Sequence, residues 1–380
     1  MKRVLMVATV PSMISNFNMN NIMMLKNKGY DVDVACNFDD TTVWDSSKSD
    51  KFKEKLKQFN INFYQVDFCR NPSNIVKVFC SYKQLLELSR KRKYKLIHCH
   101  TPVAGVVARL VAHKLKIKCL YTAHGFHFFK GAPWKNWIVF YPIEKFLSKY
   151  TDVIITINNE DYKRASKDFK DCSVEYVPGI GADIDKFSSI SEDSRRKLRD
   201  SLGVADDDIM LLSVGELSRR KNHEVVIDAM NLIGNNRLKY FICGRGSLES
   251  QLKEKINRLG LQNNVFLLGY RNDIAELNSA ADIFVFPSLQ EGLPVALMEA
   301  IASKRLVVCS NIRGNMDLVT DEHYLFKPTD IDDVAEKIKN SVDNMRNEDV
   351  IGRNFERLDD CFSLNVVSRK MSDIYDRLLR

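Results

Sequence analysis

Two glutamates eight residues apart flank the predicted start of a helix in the C-terminal half of the chain. The stretch Phe286–Ala300 reads FPSLQEGLPVALMEA, so a strand end is followed by a polar loop with Glu291 and Gly292. Pro294 then opens a helix that carries Glu299. The unpaired amide groups and positive dipole end of such a helix suit a diphosphate, and the carboxylates suit sugar hydroxyls. The pattern fits a nucleotide sugar; the alternative is that Glu291 caps the helix and Glu299 is a solvated charge.

A basic turn follows the first strand predicted in the same half. It covers Val214–Asn222, reads VGELSRRKN and precedes a predicted helix. Arg219, Arg220 and Lys221 would make charge-assisted contacts to phosphates from the side opposite the helix dipole. The turn taken alone favours the alternative of a solvated basic surface.

Histidines provide a third group of candidates. His124 follows a predicted strand and precedes a glycine, which makes it a candidate for contacting the reacting sugar. His98 and His100 alternate on another strand, so both imidazoles would face the same way as metal ligands. Because two further ligands at zinc spacing are missing, we favour structural packing for this pair and predict no metal site.

Other familiar motifs are incomplete. Gly244-Arg-Gly246 follows a strand, but Glu249 occupies the position of the third glycine of a dinucleotide-binding loop. We interpret the segment as a tight turn that binds no phosphate. The sequence has neither the G-x-x-x-x-G-K-[ST] pattern of P-loop nucleotidases nor the G-x-S-x-G pattern of esterases.

The elements that must position these residues alternate between strands and helices. Short β-branched runs and amphipathic stretches form one series in the first half, and a second series begins after the charged segment Ser188–Asp207. This alternation predicts two doubly wound parallel sheets of Rossmann-like type, each with its ligand beyond the carboxyl ends of the strands. Two facing sheets would put the active site in an interdomain cleft. The strands predicted for the second series are Ile209–Val214, Lys239–Cys243, Val265–Leu268, Asp282–Pro287 and Arg305–Ser310.

We therefore expect an N-terminal, acceptor-side domain over residues 1–187 and a nucleotide-sugar-binding domain over residues 188–362. A last helix over residues 363–380 is expected to return to the first domain. With 380 residues, 45% of them hydrophobic, the composition is that of a globular chain. Nine cysteines without a C-x-x-C pair, and a start that reads as a buried strand rather than a signal peptide, predict a cytoplasmic location.

Positive charge is concentrated in the first half, where residues 1–187 hold 30 Lys and Arg against 18 Asp and Glu. Nucleic acid, phospholipid headgroups or a phosphorylated substrate would each suit such a face. Within it, Phe126–Tyr150 interleaves nine aromatic residues with four lysines. This pattern is typical of a helix at a bilayer interface, and equally of a large apolar core helix with solvated lysines.

At these residues the chain resembles the retaining glycosyltransferases of family four, which have the GT-B fold. Glu291 and Glu299 match the Glu-x7-Glu motif of that family, and Lys221 matches its phosphate-binding lysine. Val177–Phe187 resembles its interdomain segment. Two further segments, His98–Pro102 and Tyr121–His127, resemble members that assemble capsule, exopolysaccharide or other surface glycans on a polyprenyl carrier.

The resemblance implies a hexosyltransferase that moves a sugar from a nucleotide diphosphate, commonly UDP, to a hydroxyl of a lipid-linked glycan precursor. It implies no metal, no nucleic acid and a peripheral position on the inner face of the plasma membrane. No side chain would act as a covalent nucleophile, and the departing phosphate oxygen would take the proton of the acceptor. The residues implied to have catalytic roles are His124, Glu291 and Lys221. The residues implied to bind the donor are Arg220, Lys221, Tyr270, Arg271, Glu291, Gly292, Leu293 and Glu299.

The sequence departs from the family pattern at three places. Glu216 stands where many members have a phosphate-binding arginine, so Arg219 or Arg220 would have to substitute. The first loop lacks a Gly-Gly pair, and Asp317 replaces a common glutamate. Two other functions share the predicted architecture: a nucleotide-sugar 2-epimerase, and a non-catalytic partner subunit of another transferase.

Overall fold

The computed structural model describes residues 2–42 and 44–380 of the chain. These residues form two compact units: the first runs to Ile180 and resumes at Val367, and the second covers Gly181–Val366. The segment 181–187, which we expected at the end of the first domain, lies in the second unit. Each unit contains one parallel sheet with helices around it.

The first unit has a seven-stranded sheet in the order β3-β2-β1-β4-β5-β6-β7, and every pairing is parallel. The strands are β1 Arg3–Val7, β2 Asp31–Cys36, β3 Asn62–Gln65, β4 Leu96–His100, β5 Lys118–Ala123, β6 Val153–Thr156 and β7 Ser173–Tyr176. The helices are α1 Pro11–Phe17, α2 Met19–Asn27, α3 Ser46–Gln58, α4 Ile75–Arg92, α5 Pro102–Leu115, α6 Trp134–Ser148 and α7 Asn159–Asp168. The segment Pro11–Asn18, which corresponds to the first loop of the family pattern, contains helix α1 here, and Pro11 opens that helix.

The second unit has a six-stranded parallel sheet in the order β10-β9-β8-β11-β12-β13. The strands are β8 Ile209–Val214, β9 Leu238–Cys243, β10 Val265–Gly269, β11 Ile283–Phe286, β12 Leu306–Ser310 and β13 Leu325–Phe326. The helices are α8 Ile184–Ser188, α9 Glu192–Ser201, α10 His223–Ile233, α11 Glu249–Arg258, α12 Ile274–Ala280, α13 Val295–Ala302, α14 Asn315–Leu318, α15 Ile331–Asp343 and α16 Glu348–Phe362. The prediction of two doubly wound parallel sheets is confirmed.

The last helix, α17 Leu364–Leu379, brings the chain back to the first unit. Its apolar side chains recur at helical spacing and are buried in the core of that unit. Two ion pairs fix its C-terminal half, one from Lys28 to Asp376 and one from Arg377 to Glu175. The buried residues of this helix are Val367, Met371, Ile374, Tyr375 and Leu379.

Strand order decides which loops meet in the second unit. β8 pairs directly with β11, with Ile283 beside Leu211 and Phe284 beside Leu212. Since both strands run in the same direction, the loops after Val214 and after Phe286 leave the same edge of the sheet at neighbouring points. The topology therefore brings the basic turn next to the loop with Glu291.

Candidate functional site

An ion pair joins the two loops at the carboxyl edge of the second unit. Lys221 Nζ lies 2.7 Å from Glu291 Oε1 and 4.6 Å from the centre of the Phe286 ring. The backbone amide of Leu289 donates to the carbonyl of Arg220 over 2.8 Å, which ties the loops together. The lysine and the first glutamate of the motif are thus in direct contact, although 70 residues separate them in the sequence.

Arg220 completes this cluster, whereas Arg219 does not take part. An Arg220 guanidinium nitrogen (NH1) donates to the same Glu291 Oε1 over 3.0 Å and to the carbonyl of Gln290 over 3.2 Å. Arg219 is exposed and makes no ion pair or hydrogen bond within the described part of the chain. Of the two arginines that we considered as substitutes at the Glu216 position, the geometry favours Arg220.

The two cations differ in their access to water. The Lys221 side chain is 13% exposed, whereas that of Arg220 is 47% exposed. Burial lowers the pKa of Lys221, and the neighbouring Glu291 carboxylate opposes that effect. A desolvated ammonium group acts more strongly on a bound anion than an exposed guanidinium group, because water screens it less. Lys221 is therefore the stronger electrostatic element of the cluster.

Glu291 does not cap the neighbouring helix. The N-cap of α13 is Pro294, which provides no side-chain hydrogen bond to the helix. The side chain of Glu291 is directed to Lys221 and Arg220 instead. The first turn of α13 therefore keeps backbone amide groups that no side-chain cap satisfies, as an anion site requires.

Glu299 is not a solvated helical charge. It is half-buried on α13, and burial raises the pKa of its carboxyl to about 7, against a smaller opposing effect of Lys186. Its carboxyl group makes no hydrogen bond to any described residue. A half-buried carboxyl without a protein partner is suited to accept hydrogen bonds from ligand hydroxyls.

Two residues missed by the sequence analysis support the loop of Glu291. Arg313 is buried, and its Nε donates to the carbonyl of Glu291 over 3.1 Å. A Cβ atom on Gly314 would lie 2.3 Å from the carbonyl oxygen of Gly292. Only glycine allows this approach, so the Arg313-Gly314 pair fixes the backbone on which Gly292 and Leu293 stand.

Gly244 supports the basic turn in the same way. Gly244 and Gly246 lie in a loop that leads into a turn at Ser247 and Leu248. A Cβ atom on Gly244 would lie 1.8 Å from the carbonyl oxygen of Gly215, and one on Gly246 would lie 2.3 Å from that of Leu217. These glycines are therefore needed where the backbone of this turn packs against the loop that leads to Lys221.

Tyr270 and Arg271 follow β10 at the edge of the sheet, two strands away from β8. Tyr270 is exposed, and Arg271 forms a two-bonded ion pair with Asp273, with Nε 2.8 Å from Oδ1. They lie near the Gly244 turn, since the amide of Gly244 donates to the carbonyl of Gly269 over 2.8 Å. The structure does not bring them into contact with Lys221 or Glu291.

His124 lies in the first unit, at the end of β5. Its Nε2 is 3.1 Å from His100 Nδ1, and burial lowers the pKa of His124 to about 4. His98 on the same sheet is held by the hydroxyl groups of Tyr375 and Thr122, at 2.8 and 2.9 Å. Within residues 2–42 and 44–380, no cluster of three or more His, Cys, Asp or Glu side chains forms a metal site.

Two other positions depart from the family pattern. Glu216 is exposed on the basic turn. Asp317 is buried on α14, where its carbonyl accepts a hydrogen bond of 2.9 Å from Arg357 Nε. Neither of them replaces Lys221 or Glu291 in the cluster.

The segment Phe126–Tyr150 of the first unit, which is rich in aromatic residues, lies partly in the core and partly at the surface. Phe126 and Phe128 are buried in the core, so for these two rings the structure favours the core alternative. Helix α6 nevertheless leaves large apolar side chains exposed, with Trp134 at 67%. No helix in the described part of the chain has the length and apolarity needed to cross a bilayer. The exposed apolar residues of α6 are Trp134, Ile138, Val139, Ile143 and Phe146.

Comparison with known proteins gives the same family over both halves. The family model described as Glycosyl transferases group 1 matches residues 194–357, and that described as Glycosyl transferase 4-like matches residues 3–158. EpsD of Bacillus subtilis (strain 168), which is described as a glycosyltransferase, is 35% identical over 326 residues, covering 84% of this chain and 81% of EpsD. A UDP-Gal:α-D-GlcNAc-diphosphoundecaprenol α-1,3-galactosyltransferase of Escherichia coli is 28% identical over 385 residues, covering 95% of this chain and 93% of that enzyme.

Solved structures agree with this assignment at the level of the fold. The crystal structure of Anabaena HepE in complex with UDP has a TM-score of 0.78, at 20% identity, and the match covers 99% of this chain and 100% of HepE. HepE has also been solved in complex with UDP-glucose. The predicted GT-B fold class is confirmed, and the chain belongs to the family-four glycosyltransferases and is an enzyme of that class.

Proposed function

We propose that this enzyme is a retaining glycosyltransferase that moves a hexose from UDP to a hydroxyl group of a polyprenyl-diphosphate-linked glycan precursor. The observation that carries the proposal is the contact of Lys221 and Arg220 with Glu291, beside the uncapped start of α13. Cations and free amide groups at one sheet edge are what a diphosphate requires. The UDP complexes of HepE support the choice of nucleotide.

In this proposal Lys221 exchanges one anionic partner for another. Without ligand its ammonium group is paired with Glu291 at 2.7 Å. The β-phosphate of the donor would take over that contact, together with the backbone amides of Gly292 and Leu293. Glu291 would then be available to accept hydrogen bonds from hydroxyl groups of the transferred sugar. Lys221 thus stabilises the charge that develops on the leaving diphosphate, which is where electrostatic catalysis is most effective.

Glu299 would bind the ribose of the nucleotide. Its half-buried carboxyl, with a pKa near 7, becomes fully ionised when two ribose hydroxyls donate to it. Tyr270 and Arg271 would contact the base. The acceptor hydroxyl would attack the face that the diphosphate leaves, and the departing phosphate oxygen would take its proton, so that no side chain forms a covalent bond. His124 would approach the donor sugar from the first unit.

Several observations favour an acceptor at a membrane surface. The galactosyltransferase relative is named for a diphosphoundecaprenol acceptor. Residues 77–149 hold fifteen Lys and Arg but only two acidic residues, and α6 exposes its apolar side chains within that range. Aromatic and apolar groups among cations suit an anionic leaflet. We infer a peripheral position on the inner face of the plasma membrane and a role in capsule or exopolysaccharide synthesis.

The experiment is a transfer assay with a panel of UDP-sugars and a synthetic GlcNAc-diphospho-lipid as the acceptor. Transfer with an α-linked product from an α-linked donor supports the proposal. An epimer of the sugar formed from donor alone, without acceptor, would instead identify a 2-epimerase. Folded Glu291→Ala and Lys221→Ala variants that keep wild-type turnover would refute the site, and a wild-type protein inactive with every donor would indicate a non-catalytic subunit.

A further inference from the structure

A small cavity opens next to His124 in the first unit. Its volume is 190 Å³, and its wall is formed by the ends of β4 and β5, by α1 and by α6. A single water molecule needs about 10–15 Å³ of such space, so the cavity has room for roughly a dozen non-hydrogen atoms. A hexopyranose has about that number. The lining residues are Met13, Thr101, Pro102, Tyr121, His124, Gly125, Phe126, His127, Phe128, Phe140 and Glu144.

The wall combines aromatic rings with one carboxylate. His127 and Phe140 form a stacked pair with ring centres 4.5 Å apart, and Tyr121 is buried beside them. Glu144 is the only acidic residue of the lining, and its side chain is 10% exposed. Rings that contact the C–H face of a sugar, with a few polar groups for its hydroxyls, are the usual composition of a small-ligand site.

The carboxylate of Glu144 keeps capacity for a ligand. Its Oε2 accepts a hydrogen bond of 2.7 Å from a terminal nitrogen (NH1) of the fully buried Arg109. Its Oε1 is 3.4 Å from the Tyr121 hydroxyl, at the outer limit for a hydrogen bond between oxygens. A buried ion pair of this kind contributes little net stability compared with apolar residues of the same volume. A role in binding explains its position at a cavity better than a role in stability.

Backbone strain supports the same conclusion. Thr101, which lines the cavity, has a φ angle of +66°, a conformation that β-branched residues rarely adopt. Its side chain is fixed by Thr9, whose hydroxyl lies 2.7 Å away and whose amide donates over 3.0 Å. Such strain is retained chiefly where it positions groups for function. Here it holds the end of β4 against the cavity.

We propose that this cavity binds one hexopyranose unit of the acceptor glycan, with a ring hydroxyl that donates to Glu144 Oε1 and the sugar face against Phe140 and His127. This inference rests on the proposed function, because it assigns the acceptor side of the same reaction. It makes Glu144 a specificity-determining residue for the acceptor. Donor binding in the second unit does not depend on it.

The test uses saturation-transfer NMR with methyl α-D-glucopyranoside and methyl 2-acetamido-2-deoxy-α-D-glucopyranoside as probes of the whole protein. We expect transfer to the ring protons of at least one probe. Met13→Trp, which fills the cavity, should abolish the signal, and Glu144→Gln should weaken binding about tenfold, as for loss of a hydrogen bond to a charged group. Glu87→Gln, on the exposed surface of α4, is the matched control and should bind as wild type.

The same samples separate this inference from the proposed function. UDP affinity, measured by calorimetry, should stay within twofold of wild type in all three variants. Absence of transfer to both probes in the wild type, or a signal that survives in folded Met13→Trp, would overturn the acceptor subsite while leaving UDP binding intact. If Glu144→Gln does not fold because Arg109 loses its partner, Met13→Trp decides alone. Failure of UDP to bind to the wild type would count against the proposed function instead.

Discussion

Replacing Lys221 by methionine tests the electrostatic role of the cluster most sharply. Methionine keeps an unbranched apolar stem against Phe286 and beside Gly215, so the variant loses the charge and little of the packing. Arg220 remains to pair with Glu291. The change therefore removes one cation from the proposed phosphate site and leaves its carboxylate partnered.

The structure sets the expected size of the effect. Removing one preorganised electrostatic donor costs about 2–4 kcal/mol of transition-state stabilisation, which is roughly 30- to 900-fold in rate. Because the Lys221 side chain is only 13% exposed, we expect a loss within that range. Arg220 contacts the same carboxylate oxygen but is 47% exposed, so Arg220→Ala should cost about 1 kcal/mol or less, under roughly tenfold.

The assay is steady-state release of UDP from the UDP-sugar that supports transfer, which gives kcat and KM for each variant. Arg219→Ala, which removes a neighbouring charge of the same turn, is the control and should leave both constants unchanged. Circular dichroism and thermal unfolding establish that the variants are folded. A folded Lys221→Met enzyme whose kcat/KM stays within threefold of wild type would refute the role of this lysine.

The other predictions concern pH, lipid binding and backbone packing. Burial raises the pKa of Glu299 in the folded state to about 7, above its ordinary 4.5. The free energy of unfolding of the wild type, measured in urea, should therefore fall relative to that of Glu299→Gln as the pH rises from 4.5 to 7. The expected slope is at most about 1.4 kcal/mol per pH unit. Burial lowers the pKa of His98 to about 3 and that of His124 to about 4. The free energy of unfolding should therefore decrease as the pH falls from 6.5 to about 4. A free energy of unfolding that stays constant over this range would contradict the assignment of both imidazoles as buried and neutral. The protein should sediment with anionic vesicles, and both 0.5 M salt and the substitution Phe146→Ser should weaken this binding, the latter several-fold. Equal binding to neutral vesicles would contradict the proposal that this part of the protein contacts an anionic membrane. Gly244→Ala should destabilise the protein by about 1–3 kcal/mol and raise KM for the donor, since the added methyl group would collide with the backbone at Gly215. A decrease in Tm of less than about one degree would contradict this prediction.

The sequence predicted the sheets because their strands are buried β-branched runs. All five strands expected in the second unit are present, and the contact between the basic turn and the loop of Glu291 follows from parallel strands that end at a common edge. The sequence pattern did not predict three strands at the edges of the sheets, which are Asn62–Gln65, Ser173–Tyr176 and Leu325–Phe326. The first two are half-buried and the third has two residues, so they carry no clear hydrophobic pattern.

Other features depend on contacts between residues that are distant in sequence. The support of Glu291 by Arg313, and the close approach of Gly244 to Gly215, appear only when the backbones are brought together. The raised pKa of Glu299 is a consequence of burial that a helical pattern does not encode. The division of the aromatic segment between core and surface likewise depends on where α6 packs.

A crystal structure of the enzyme with UDP would show which groups bind the diphosphate. We expect the diphosphate to lie within hydrogen-bond distance of Lys221 Nζ and of the amide groups at the start of α13, with the ribose on Glu299. Lys221 would then have exchanged its 2.7 Å contact with Glu291 for a phosphate oxygen. A diphosphate bound elsewhere, with the Lys221–Glu291 pair unchanged, would contradict it.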